Sequence, residues 1–196
     1  MFLNSVLRRS TPVSCPEQRP KTPKRVFWGA PEPVTDSGTF DARELFRALA
    51  HSDVEYVVVG GIAIQAYGGQ HQTLGLDVAI ASSTDNLARL ASALLDLDAR
   101  ILGPDGQRSQ SVPSAPLLAS SDQWHLITVH GPLDVLTLPA NLGSFADMRA
   151  RAHEVPLGEL SIPIAHREDL LKMKRAAGRP QDLADVRLLE SLDDVP

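Results

Sequence analysis

The chain has 196 residues, 43% of them hydrophobic, and a formal net charge of −5; that suits one domain with a real core and a tail. No apolar run approaches the roughly 20 residues that cross a bilayer, and the arginines of "MFLNSVLRRS" follow a very short apolar stretch, the wrong order for a signal peptide. The single cysteine, Cys15, forms no internal disulfide, so a soluble, cytoplasmic protein with no membrane partner is expected.

In chain order, residues 1–25 carry Arg8, Arg9, Arg19, Lys21, Lys24 and Arg25 against Glu17 alone, in a setting rich in Pro, Ser and Thr. Such a stretch buries little, so a loosely ordered basic segment is expected over 1–35 and one folded domain over 36–196. Two readings stand for the segment: a solvated tail or sequence ahead of the true start, or a basic arm for nucleic acid phosphates. The acidic remainder argues against indiscriminate nucleic acid binding. "TFDARELFRALA" spaces Leu45, Phe46 and Leu49 as a helix, with Thr39 or Asp41 to cap it. "VEYVVVG" is apolar on both faces, which predicts a central strand. "GIAIQAYGG" is a short helix between glycine breaks, and "TLGLDVAI" is the next strand. "STDNLARLASALLDLDA" is an amphipathic helix capped by Ser83 or Thr84. "GPDGQRSQSVPSAP" is a long loop. "WHLITVH", a turn at Gly131-Pro132 and "LDVLTL" form a hairpin, and "SIPIAH" is a short strand. "REDLLKMKRAA" and "PQDLADVRLLESL" are two closing helices, with Gly178 ending the first and Pro180 opening the second. The pattern predicts an α/β (α+β) domain built on a mixed sheet.

Three features carry chemistry. Gly60-Gly61 ends a central strand and opens a helix; glycines there let backbone amides approach a phosphate, or simply make a tight turn. Asp77 and Asp134 each interrupt an otherwise apolar strand. A carboxylate in that position faces solvent or meets a cation, and magnesium held by both together with substrate phosphates accounts for the pair. In "DLLKMKRAAGRPQDLADV", Lys174, Arg175 and Arg179 lie close to Asp182 and Asp185. The two aspartates share one helix face at i, i+3, either as a charged surface or as part of a site.

Together these stretches resemble the nucleotidyltransferase superfamily, and most of all its AbiEii-type or MenT-like branch of bacterial toxins. "VEYVVVGGIAIQAYGG" is similar to the family's strand–GG–helix, "TLGLDVAI" to its Asp-x-Asp strand, and "LDVLTL" to the strand of its third carboxylate. "DLLKMKRAAGRPQDLADV" is similar to its lysine motif and closing Asp-Leu-x-Asp. The resemblance implies a small mixed sheet flanked by helices with a helical C-terminal part. It implies transfer of a nucleotide from an NTP, a pyrimidine in the usual members, to an acceptor hydroxyl. By position, Gly60 and Gly61 would hold triphosphate. Asp77 and Asp134 would bind Mg2+, with Asp134 near the acceptor, and Lys174 would contact phosphate. Asp182 or Asp185 would act as charge partner or base. Thr73, His71 and Arg179 would join the nucleotide site. The implied acceptor is the 3′ end of tRNA, so the implied role is a toxin that blocks translation. The implied partner is a cognate antitoxin, in some systems one that phosphorylates the residue matching Thr73.

Three positions depart from the pattern. Gly75 stands where the first Asp of the pair belongs, His71 where an arginine is usual, and Tyr67-Gly68 where His-Gly is usual. Gly75 leaves three explanations open. The chain is an inactivated variant, it is a pseudo-nucleotidyltransferase that binds nucleotide, RNA or a partner, or it is active with Asp182 or Asp185 supplying charge. Residues two apart on a strand share a face, so an aspartate at 75 is expected to be tolerated and to reach the cation of Asp77. Lys174→Ala is expected to remove a phosphate contact without unfolding the chain.

Overall fold

The computed structural model describes residues 40–192 apart from His71 and Pro139. The expected basic segment over 1–35, the alternative cap Thr39, and His71 lie outside the described residues. The elements in chain order are α1 (Ala42–His51), β1 (Tyr56–Val59), α2 (Gly60–Ala66), β2 (Leu76–Ile80), α3 (Thr84–Asp96), β3 (Arg100–Ile101) and α4 (Ala115–Leu118). There follow β4 (Gln123–Thr128), β5 (Gly131–Leu136), a 3-10 turn (Ala140–Leu142), α5 (Phe145–Arg151), β6 (His153–Leu157), β7 (Leu160–Ile164), α6 (Arg167–Ala177) and α7 (Pro180–Ser191). The seven strands form one sheet in the order β3-β4-β5-β2-β1-β7-β6. It is mixed: β1 runs antiparallel to β2, and β2 runs parallel to β5.

Local chemistry explains the helix ends. Asp41 caps α1, its Oδ1 accepting from the Arg43 and Glu44 amides, and Leu45, Phe46 and Leu49 pack into the core. Ser83 caps α3 by accepting from the Asn86 amide. Gly178 ends α6 at φ 67, a left-handed conformation that glycine adopts freely, and Pro180 occupies the first turn of α7. All four residues of β1 are buried, in keeping with its interior place in the sheet.

Elsewhere the structure corrects the expected pattern. The hairpin turns at Val129-His130 rather than Gly131-Pro132, because Thr128 pairs with Gly131 and Ile127 with Pro132. The Thr128 hydroxyl donates to the Gly131 carbonyl and accepts from the His130 amide, closing the tight loop. Gly131 has φ 108, and an added Cβ would sit 3.0 Å from Phe40, so this glycine serves the packing of α1's leading residue. The short β3 precedes the long loop, and the last residues of that loop begin α4. "SIPIAH" pairs with β6, an edge strand whose Pro156 and alternating exposure hide it from a hydrophobic pattern. α5 is opened by Ser144, which accepts from the Asp147 amide. Among the described residues no helix is long and apolar enough to cross a membrane.

Candidate active site

The parallel pairing of β2 with β5 sets Asp77 directly beside Asp134. In-register neighbours on adjacent strands project to the same face, with strands about 4.8 Å apart. On the other side of β2, Val59 pairs with Asp77, so the end of β1 and the start of α2 run past the same carboxylate. Gly60 has φ 65, and an added Cβ would fall 2.1 Å from Asp77 Oδ2. Gly60 is therefore required twice, for its backbone conformation and for the carboxylate that fills its side-chain space. The Gly61 amide donates a hydrogen bond to Asp77. The double glycine thus seats Asp77.

Across from this sheet wall stand α6 and α7. Lys174 Nζ lies 2.6 Å from Asp185 Oδ2 and 3.4 Å from Asp182 Oδ1. Arg179 donates to Asp182 three times, from its backbone amide at 3.1 Å, from Nε at 2.6 Å and from Nη2 at 3.0 Å. Asp182 is completely buried. Burial alone would raise its carboxyl, but the Arg179 hydrogen bonds and the Lys174 charge outweigh it and hold the group below its ordinary value. With both oxygens occupied and its affinity for protons lowered, Asp182 is a charge partner here and poorly suited to act as a base.

The two walls enclose a cleft of about 410 Å³. Gly60, Gly61, Thr73, Asp77, Asp134, Lys174, Arg179, Asp182 and Asp185 all line it, so the structure brings together every candidate residue that it describes. Thr73 Oγ1 donates to the Gly75 carbonyl at 2.8 Å, which pins the approach to β2. Gly75 itself lies opposite Pro132, where an added Cβ would meet the Pro132 Cβ at 2.9 Å and its carbonyl oxygen at 3.1 Å. The expectation that the strand tolerates an aspartate there is overturned: the proline ring occupies the space.

The cleft also contains residues that sequence reasoning missed. Gln123 and His125 alternate along β4, and α6 contributes Leu170, Met173 and Ala177 beside Lys174. His125 pairs directly across from Asp134, with Nδ1 3.0 Å from Asp134 Oδ1. That hydrogen bond, more than any other influence, raises the imidazole above its ordinary value. Asp77 is pushed up to about 7, first by burial and next by the Asp134 charge, while Lys174, Gly61 and His125 pull the other way. Ionising Asp77 beside Asp134 is therefore costly within the protein alone. A hard divalent cation with oxygen ligands fits such a pair, and Mg2+ is commonly held by one or two carboxylates plus substrate phosphates. Among the described residues no group of three or more His, Cys, Asp or Glu side chains could hold a metal, so the remaining ligands would come from substrate and water.

No family model matches the chain, and no curated protein matches it. Solved structures do. Lincosamide antibiotic adenylyltransferase LnuA with lincomycin bound is 18% identical, with a TM-score of 0.50 over 78% of this chain and 98% of that one. ANT(2'')-Ia in complex with adenylyl-2''-tobramycin is 13% identical, with a TM-score of 0.50 over 74% of this chain and 83% of that one. At these identities the likeness concerns architecture: the seven-stranded mixed sheet with its helical C-terminal part is a nucleotidyltransferase fold.

Proposed function

We propose that the chain transfers a nucleotide from an NTP to an acceptor hydroxyl. The observation that carries this reading is the in-register pair Asp77 and Asp134, facing Lys174 and Arg179 across one cleft. Asp77 and Asp134 would hold Mg2+, which would neutralise charge on the phosphates and on the leaving pyrophosphate. Lys174 and Arg179 would bind triphosphate oxygens from the opposite wall, and Asp134 would orient the acceptor hydroxyl. The acceptor oxygen attacks the α-phosphorus while the bond to the β-phosphate bridging oxygen breaks. The electron pair leaves with pyrophosphate, and the hydroxyl proton passes to water. Holding both reactants in one cleft supplies most of the advantage in such a reaction.

The finer reading follows the resemblance to AbiEii-type and MenT-like toxins: a pyrimidine NTP, the tRNA 3′ end as acceptor, and a cognate antitoxin. Thr73 lines the cleft, so a phosphate placed on it would add negative charge beside the two carboxylates and close the site. A second reading is favoured by one contact, Gly75 against Pro132. On this reading the site lacks one carboxylate by construction and binds nucleotide, RNA or a partner without turnover.

The test incubates the purified chain with Mg2+, each labelled NTP, and either total tRNA or hydroxyl-bearing antibiotics of the kinds bound by the two structural neighbours. Label on tRNA supports the toxin reading. Label only on a small acceptor keeps nucleotidyl transfer and removes the tRNA target. Nucleotide binding with no transfer supports the non-catalytic reading, and a chain that binds no Mg2+–nucleotide sinks the proposal.

A further inference from the structure

The two carboxylates of the sheet wall are held by different means. Asp77 is seated by the Gly61 amide and by the hollow at Gly60. Asp134 has neither support. Its side chain is 28% exposed, and its Oδ1 meets the His125 Nδ1 at 3.0 Å. A carboxylate accepts only, so in this contact Nδ1 carries the proton and donates. The backbone that carries the imidazole is well anchored. It belongs to β4, which pairs with β5 along its whole length, and the neighbouring Trp124 indole N–H donates to the Leu118 carbonyl at 3.0 Å on the far face. A third carboxylate could share the work of orienting Asp134 around a common cation, but the place for one, at Gly75, is filled by Pro132.

We propose that His125 is the positioning residue for Asp134. By fixing Oδ1 it presents the second oxygen to the cation and the acceptor, and it takes over an orienting role that a third ligand would otherwise share. Hydrogen-bond partners of ligating carboxylates have this effect generally, and losing one typically costs 10–100-fold, as an order of magnitude, in metal affinity or activity. The inference rests on the nucleotidyl-transfer reading of the same cleft.

Two polar substitutions of similar size separate positioning from direct substrate contact. His125→Asn keeps a nitrogen donor near the place of Nδ1, whereas His125→Gln moves the donor to the place of Nε2. Both are compared with the unmodified chain for kcat, for KM of the NTP, and for Mn2+ affinity in the presence of an unreactive triphosphate analogue. Thermal melting checks that each variant folds. His125→Gln is expected to lower kcat and Mn2+ affinity about tenfold or more with KM nearly constant, and His125→Asn to recover most of both. Equal losses in the two variants, a better result for Gln than for Asn, or no loss in either would overturn the positioning role. An unmodified chain that binds no Mn2+–nucleotide would overturn the functional reading together with this one, and that outcome is distinct from the other three.

Discussion

On the helical wall of the cleft, Lys174 and Arg179 meet Asp182 and Asp185, and the charges balance within the protein. On the sheet wall, Asp77 and Asp134 face one imidazole, and the carboxyl of Asp77 rises to about 7. Both walls carry two aspartates, so the count of acidic residues says little about what either wall does. What differs is compensation. A balanced network holds α6 to α7, while an unbalanced pair is a place where a cation gains from binding.

Removing a charge from the balanced wall should have the largest effect on stability. Lys174→Met takes away the ammonium that both Asp182 and Asp185 face. We expect a loss of roughly 2–4 kcal/mol by denaturant unfolding, in the range for breaking a buried ion pair, moderated because Asp182 keeps Arg179. An unchanged midpoint would mean the helical wall is not held by its ion pairs.

The unbalanced wall should respond in the opposite sense. Asp77 has a folded-state value of about 7 against an ordinary 3.8. Its contribution to stability is therefore fully present below about pH 4 and is lost as pH rises through about 7. Asp77→Asn removes that dependence, so without divalent cation the variant should exceed the unmodified chain at pH 8 by roughly 1–3 kcal/mol. Melting curves at pH 5 and pH 8 check this; a variant less stable than the unmodified chain at pH 8 would show that Asp77 is compensated after all.

A smaller effect probes the edge of that wall. Gly75→Asp should destabilise by about 1–3 kcal/mol through overpacking against Pro132, without raising transfer. Adding Pro132→Gly should recover part of the loss, and a fully stable single variant would dispose of the steric account. The smallest expected change lies behind the cleft, where the Tyr67 hydroxyl donates to the buried Ala165 carbonyl. Tyr67→Phe should cost about 1 kcal/mol with transfer unaffected; a loss of transfer would tie this contact to the site.

Much of this was legible in the sequence because it is local. The caps at Asp41 and Ser83, the Gly178 break and the apolar β1 follow from neighbouring residues. So do the chemically conspicuous Asp77, Asp134 and Lys174. His125 was hidden by a misplaced turn. With the loop at Val129-His130, counting back from it sets His125 opposite Asp134; with the loop at Gly131-Pro132, the count puts Val129 there. Gly75 reads as a missing ligand along the strand, and only the pairing with β5 reveals what fills its place. β6 escaped because it is a half-exposed edge strand carrying Glu154 and Pro156 outward, with no apolar run to mark it. In each case the deciding contact comes from a residue on another strand.

The pairing of β1 with β7 joins Val58 to Ile164, and the Tyr67–Ala165 bond spans 98 positions of sequence. The α6–α7 pair, by contrast, closes through Lys174 and Asp185, 11 positions apart. Short loops close with less entropy loss than long ones, and contacts distant in sequence slow folding. We therefore expect the helical wall to acquire protection early in refolding, and the cleft to exist only once β7 has docked beside β1. Pulse-labelled hydrogen exchange would register this as α6 and α7 amides protected ahead of those in β1, and simultaneous protection would reject it. A nascent chain would then have no complete cleft until α7 had emerged.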